Sequence, residues 1–197
     1  MHSAIEPVRK LEGPTVRYNI ETSGSTLTIR AFATGLLASL GHNPTVSPSD
    51  FDGEVSLDTD ALERSSMRMV VRAESLTVTD DISDKDRAEI NRRMHEEVIE
   101  TGSYEEVVYE SSRVAASKTG EGQYWVAMGG DLTLHGVKRS QSVSARVSIN
   151  GQTLRATGDF SVKMSDYEIQ PVSALGGAVR LKDELKIFFD ITARKQA

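Results

Sequence analysis

Gly129-Gly130-Asp131-Leu132-Thr133-Leu134-His135-Gly136-Val137-Lys138-Arg139-Ser140 is the stretch that decides the fold. Leu132 and Leu134 alternate with Asp131 and Thr133, the period of a strand with one buried face. His135-Gly136 then reads as a tight turn, because glycine accepts backbone conformations that other residues resist. Upstream, the alternation extends through Tyr124, Val126 and Met128; downstream, a return strand starts near Val143 and runs to Val147 or Ile149. Strand, turn and return strand make an antiparallel hairpin. Such even alternation sets one face on a core or cavity and the other in water.

Working outward, Asn150-Gly151 is the next hairpin turn, followed by alternating Leu154, Ala156, Gly158, Phe160, Val162 and Met164. A loop over 166–177 leads to a last strand with Leu185, Ile187, Phe189, Ile191 and Ala193 on one face. Before the deciding hairpin lie Val107, Tyr109 and Ser111, then a turn at Gly120-Glu121-Gly122. Earlier strands carry Val16 to Ile20, then Leu27, Ile29 and Ala31, then Phe51, Gly53, Val55 and Leu57, then Met67, Met69, Val71 and Ala73. Leu76 and Val78 resume one residue out of phase, which predicts a β-bulge at Glu74-Ser75.

Two segments break the alternation. Residues 33–41, ATGLLASLG, read as a short apolar helix ended by Gly41. Residues 80–102 hold a longer helix, expected over 84–101, with Ser83 and Asp86 as an N-terminal box and Ile90, Met94 and Val98 on one stripe. That helix is expected outside the sheet or at its rim. Residues 1–14 are expected to be a flexible arm and residues 15–197 one domain. The fold class that follows is all-β with one or two helices. About eight antiparallel strands joined by tight turns close into a single up-and-down β-barrel, which leaves no sheet edge open to aggregation. A barrel of about eight strands can enclose one ligand.

Twelve residues are expected to line its interior and bind a ligand there: Leu27, Ile29, Met69, Val71, Tyr109, Tyr124, Val126, Met128, Phe160, Val162, Ile187 and Phe189. The plainer alternative is a filled core. Methionines adapt to a flexible guest, and an apolar chain gains about 0.8 kcal/mol per buried methylene.

The 197 residues carry a net charge of −6, which argues against nucleic acid as a partner. Without cysteine there is no disulfide, thiol nucleophile or cysteine metal site. No stretch is apolar enough to span a bilayer, and the first residues show no secretory signal, so the sequence as written is expected to be cytoplasmic, or periplasmic if a native signal has been removed. Of the four histidines, His2 lies in the arm and His95 among charged residues. His42 is read as a helix-end cap and His135 as a turn residue. A rival reading makes His42, His135 and Asp166 a catalytic or metal site at a barrel rim, but close ligand spacing such as H-E-x-x-H is absent. No catalytic residue, metal ligand or cofactor is assigned.

Gly130-Asp131-Leu132-Thr133-Leu134-His135-Gly136-Val137 resembles the G-x-L-T-L-x-G-V hairpin of the YceI-like proteins. Phe51-Asp52-Gly53, Ser75-Leu76, the acidic helix opening at Asp84, Tyr104 leading to Val107–Ser111, and Asp183-Glu184-Leu185 fall in the same order as in that family. Gly35 to Asn43 resembles one branch, with Pro44 where a second histidine often stands. Two further departures are Met164, near which the family often has Arg, and Glu168, near which it often has Gly. The resemblance covers roughly residues 16–195. It implies a lipocalin-like barrel that is not an enzyme. It further implies binding, transport or storage of a long-chain isoprenoid (polyprenyl or quinone-like) or similar fatty amphiphile, with a stress-linked role as one variant. A bacterial origin and a homodimer are further implications.

Overall fold

The computed structural model describes residues 15–34, 43–170, 173–174 and 179–196. The expected flexible arm, His42, most of the short apolar helix and part of the loop after Asp166 lie outside the described residues.

Eight strands form a closed antiparallel barrel in up-and-down order. The first three are broken in two. The first comprises β1 (Thr15–Ile20) and β2 (Thr26–Arg30). The short strand β3 (Ala33–Thr34) follows it, where a helix was expected to begin. The second comprises β4 (Thr45–Pro48) and β5 (Phe51–Asp58); the third, β6 (Ser66–Arg72) and β7 (Leu76–Val78). Long strands follow: β8 (Glu106–Gly120), β9 (Gln123–Leu134), β10 (Val137–Asn150) and β11 (Thr153–Lys163). Strand β12 (Ser173–Ala174) pairs with β13 (Val179–Leu181), which pairs with β3 in a small separate sheet. The last strand, β14 (Glu184–Lys195), lies between β11 and the broken first strand.

Closure runs through β14: Lys186–Asp190 pair with β2, and Ala193–Lys195 pair with β1. Between those pairings the chain kinks without letting go. The Glu21 amide donates to the Thr192 carbonyl at 2.9 Å, and the Thr192 amide donates to Ser25 Oγ at 2.9 Å. Ser23-Gly24-Ser25, whose small polar residues read as a turn between two strands, is therefore a bend within one strand. The phase slip before Leu76 has a related cause. It is a 3₁₀ turn over Ala73–Ser75 rather than a β-bulge, and it redirects the strand from β5 to β4. A bulge does occur in β8, between Ser111 and Arg113.

The deciding hairpin forms, with Leu134 opposite Val137, but the return strand starts at Val137 rather than near Val143, because the polar residues between them pair with β9 as well. Both turn residues have positive φ, 51° at His135 and 70° at Gly136. A side chain at Gly136 would also collide with the Tyr104 ring, 2.7 Å from where its Cβ would stand. Glu168 takes a left-handed conformation too, φ 60°, closing the 3₁₀ turn Met164–Tyr167.

Helix α1 (Asp84–Arg93) starts on Ser83, whose Oγ accepts from the Asp86 amide at 3.1 Å. It stops earlier than expected. A π-turn over Met94–Val98 follows, with the Ile99 amide donating to the Met94 carbonyl at 2.8 Å. The wider turn brings Met94, Val98 and Ile99 onto the barrel side. The helix also supplies what β7 lacks on its free edge. Asn91 Oδ1 accepts from the Val78 amide at 2.9 Å, and Arg87 donates to the Val78 carbonyl at 2.6 Å. No helix among the described residues is long and apolar enough to cross a membrane.

At the opposite end, buried Asp58 holds the turn Leu62–Arg64. It accepts from the amides of Asp60 and Ala61 at 3.0 and 2.9 Å and from Arg64 Nε at 2.8 Å. The Arg64 hydrogen bond leads in pulling its carboxyl below the ordinary aspartate range, with the two amides assisting against burial.

Three outcomes are expected. Asn91→Ala strands the amide of Val78, a residue 1% exposed, and lowers unfolding stability by about 1–3 kcal/mol in urea titrations. Glu168→Gly relieves the left-handed conformation and raises stability by roughly 0.5–1 kcal/mol in the same assay. Because the Asp58 carboxyl is depressed in the folded state, its contribution is present above the unfolded aspartate range, near pH ~4, and fades as pH falls through the lower folded value. Asp58→Asn therefore shows a smaller acid-induced loss than wild type when stability is measured from neutral pH downward.

Candidate functional site: a cavity through the barrel

Inward-facing side chains form two packed clusters. One centres on Tyr109, Leu132, Val162 and Ile187, the other on Ile20, Phe51, Met69 and Ile191. They do not fill the barrel. A cavity of about 880 Å3 runs along it, and its wall among the described residues is apolar apart from the hydroxyls of Tyr109 and Tyr124 and the polar residues Ser65, Ser66, Asp80, Asp86, Glu89, Arg93 and Arg180.

Residue size explains the space. The hydrogen-bonded register lines up Ala116, Val126, Ala145, Gly158, Phe189 and Leu27 across six neighbouring strands. Three of these six are alanine or glycine. A Cβ at Gly158 would stand 2.7 Å from the Phe189 ring, so the phenyl lies over the missing side chain. Ala156 and Ala193 widen neighbouring rows and also face the cavity.

All twelve residues named from the sequence stand on the cavity wall. Ile29, Ile187, Phe160 and Val162 lie toward the end bearing the His135-Gly136 turn, called upper here. Leu27, Phe189, Val126 and Met128 lie at mid-height, with Met69, Val71 and Tyr109 on the neighbouring strands. Tyr124 sits toward the lower end, beside the Gly120–Gln123 turn. The Tyr109 hydroxyl donates to the Gln141 carbonyl at 3.4 Å, and burial, assisted by the nearby Asp131 charge, pushes its ionisation upward. The middle of the wall is therefore uncharged.

Among the described residues of the wall, charge is confined to the upper rim. Asp80 Oδ2 accepts from the Thr45 amide at 2.8 Å. From α1, Glu89 pairs with Arg93 at 2.6 Å and with Arg92 at 3.1 Å. Hydrogen bonds from Arg92 and then Arg93 lower the Glu89 carboxyl to about 2. Arg180 comes from β13. Sequence reading assigned none of these rim residues to the site; it placed Met94 and Val98 on the helix's apolar stripe but not on the cavity wall, and it missed Ile99. The mixed charges of α1 were legible, but their placement over an opening was not. The small residues Ala116 and Ala145 were also missed, because their effect depends on register between distant strands.

The rival constellation finds no support among the described residues. His42 lies outside the described residues. His135 is mostly buried: its Nδ1 stands 3.2 Å from the Tyr167 carbonyl, its Nε2 3.6 Å from Glu100, and its ring 4.2 Å from that of Tyr104. These contacts clamp the hairpin tip. The Asp166 carbonyl accepts from Arg139 Nε at 3.1 Å. Among the described residues no group of three or more His, Cys, Asp or Glu side chains could hold a metal ion.

The YceI-like domain family matches residues 18–193, and the chain belongs to that family. No curated protein matches the chain. Among solved structures, BcnA of Burkholderia cenocepacia is similar at 18% identity, over 88% of this chain and 98% of that one, with a TM-score of 0.67. A polyisoprenoid-binding domain from Saccharophagus degradans is similar at 14% identity, over 91% and 98% of the two chains, with a TM-score of 0.65. The Campylobacter jejuni YCEI protein follows at 12% identity, 80% and 88% coverage, and a TM-score of 0.60. At these identities the likeness is one of fold.

Proposed function

We propose that this member of the YceI-like family is a non-catalytic binding protein for a long-chain isoprenoid or similar amphiphile, held tail inward along the barrel. The observation that carries the proposal is the continuous apolar cavity of about 880 Å3. That volume lies within the range of sites that bury most of a ligand's surface. Each buried methylene contributes about 0.8 kcal/mol, so a long tail outweighs any single polar contact. The twelve wall residues are the proposed tail contacts. Likeness to a polyisoprenoid-binding domain supports the same class of guest.

The upper rim selects the head group in this proposal. Among the described residues it offers three carboxylates against two guanidiniums, and Arg93 is already paired with Glu89. Recognition of phosphate favours convergent Arg groups. The rim therefore suits an uncharged polar head, such as an alcohol or a quinone, better than a diphosphate. Met164 fits the same reading: near this position the family often has Arg, whereas Met164 is buried at 2% exposure and lines the cavity.

Organic extraction of the purified protein, followed by mass spectrometry, is expected to release an isoprenoid or related amphiphile. Ala156→Phe puts a phenyl ring into the cavity and is expected to cut lipid occupancy severalfold while circular dichroism stays strand-dominated. A folded Ala156→Phe variant at full occupancy would show that this part of the barrel does not hold the tail. Recovery of a diphosphate as the main ligand would refute the head-group assignment.

A further inference from the structure

The cavity stops short of the lower end of β1. The buried, inward residues of that strand are Tyr18 and Ile20. Ile20 lines the cavity, whereas Tyr18, one step lower on the same face, does not. Tyr18 is instead 3% exposed and packs in one cluster with Leu154 and Ala193, which do line the cavity. Its ring therefore lies beneath them as part of a floor. The backbone that carries it is held on both sides, opposite Lys195 of β14 and Val55 of β5. Across the barrel, the Leu62–Arg64 turn packs against β8 and β5, with Leu62 on the cavity wall. Asp58 fixes that turn through the Ala61 amide and Arg64 Nε.

A floor turns the volume into a limit. At roughly 30 Å3 per non-hydrogen atom, the share a water molecule takes in the liquid, the cavity of about 880 Å3 holds about thirty atoms. That is about six isoprene units of five carbons each. A longer chain leaves its remaining units in water at the mouth, where none of their apolar surface is buried.

We propose that the barrel measures chain length: it accepts isoprenoids of up to about six units, and Tyr18 is the stop that ends the space for the tail. The head stays at the charged rim, so the distance from rim to floor sets the length that is fully enclosed. Ala116, a small residue on the cavity wall, keeps the passage down to the floor wide. This inference rests on the lipid-binding proposal and names the guest by its length.

The test offers the full chain phosphatidylcholine vesicles that carry an equimolar ladder of polyprenols, about four to ten units long. The protein is then separated from the vesicles, and its lipid is extracted for mass spectrometry. In a vesicle every chain is already out of water, so a chain too long for the cavity loses burial on transfer. Wild-type loading is expected to fall at least about tenfold between roughly six and eight units. Tyr18→Ala removes the ring from the floor and is expected to raise the limit by at least about one unit. Ala116→Phe fills part of the passage and is expected to lower it by at least about one unit. Even loading of wild type up to the longest chain overturns the inference. So does a folded Tyr18→Ala or Ala116→Phe variant with the wild-type limit. Should either variant not fold, wild type and the other variant supply the answer. Loading of no polyprenol at any length instead overturns the lipid proposal itself.

Discussion

In a barrel wall every backbone N–H and C=O needs a partner, and here the last strand, β14, decides whether they find one. It pairs with β11 along one edge and with both halves of the first strand along the other. The kink at Glu21–Ser25 is permitted because Glu21 and Ser25 both hold Thr192, so the strand bends without surrendering its ladder. The same demand explains α1. Where β7 has no strand on its outer side, Asn91 and Arg87 take the place of strand partners. Side chains complete a ladder that the backbone leaves unfinished.

Once closure fixes the wall, residue size fixes the interior. Large side chains pack in two clusters, while Ala116, Ala145 and Gly158 share one register row and leave space between them. Phe189 covers the glycine without filling that space. A core of uniformly large residues on the same backbone would be solid. The cavity therefore comes from a few small side chains placed in register, and the distribution of charge only decorates its upper end.

The strands were legible because alternation is a local signal; the residues quoted for it stand in strands except Ala31, Ala73 and Met164, each just past a strand end. The cavity wall was partly legible for the same reason, since an inward position follows from parity alone. The rest depends on non-local information. Nothing within Thr22–Ser25 distinguishes a turn between strands from a kink within one; the difference is made by Thr192, far along the chain. The slip before Leu76 was visible in phase, but its form as a 3₁₀ turn follows from a change of partner strand. Ala33 and Thr34 look helical beside a small apolar run, yet β13 claims them as a strand. The regular helix stops at Arg93 because a π-turn brings three apolar side chains round to the cavity, a tertiary demand that overrides helical period.

Pairing of Tyr18 with Lys195 joins opposite ends of the barrel sequence. During synthesis the first strand emerges long before the strand that seals it. Until then its inner face, with Tyr18 and Ile20, is wet, and the growing sheet carries an open edge. Contacts at such separation form slowly, because loop closure must precede the contacts that reward it. The wall thus becomes a container only at the final step of folding. A hydrophobic guest present at that moment can be enclosed as the barrel shuts, with no need to enter a finished one.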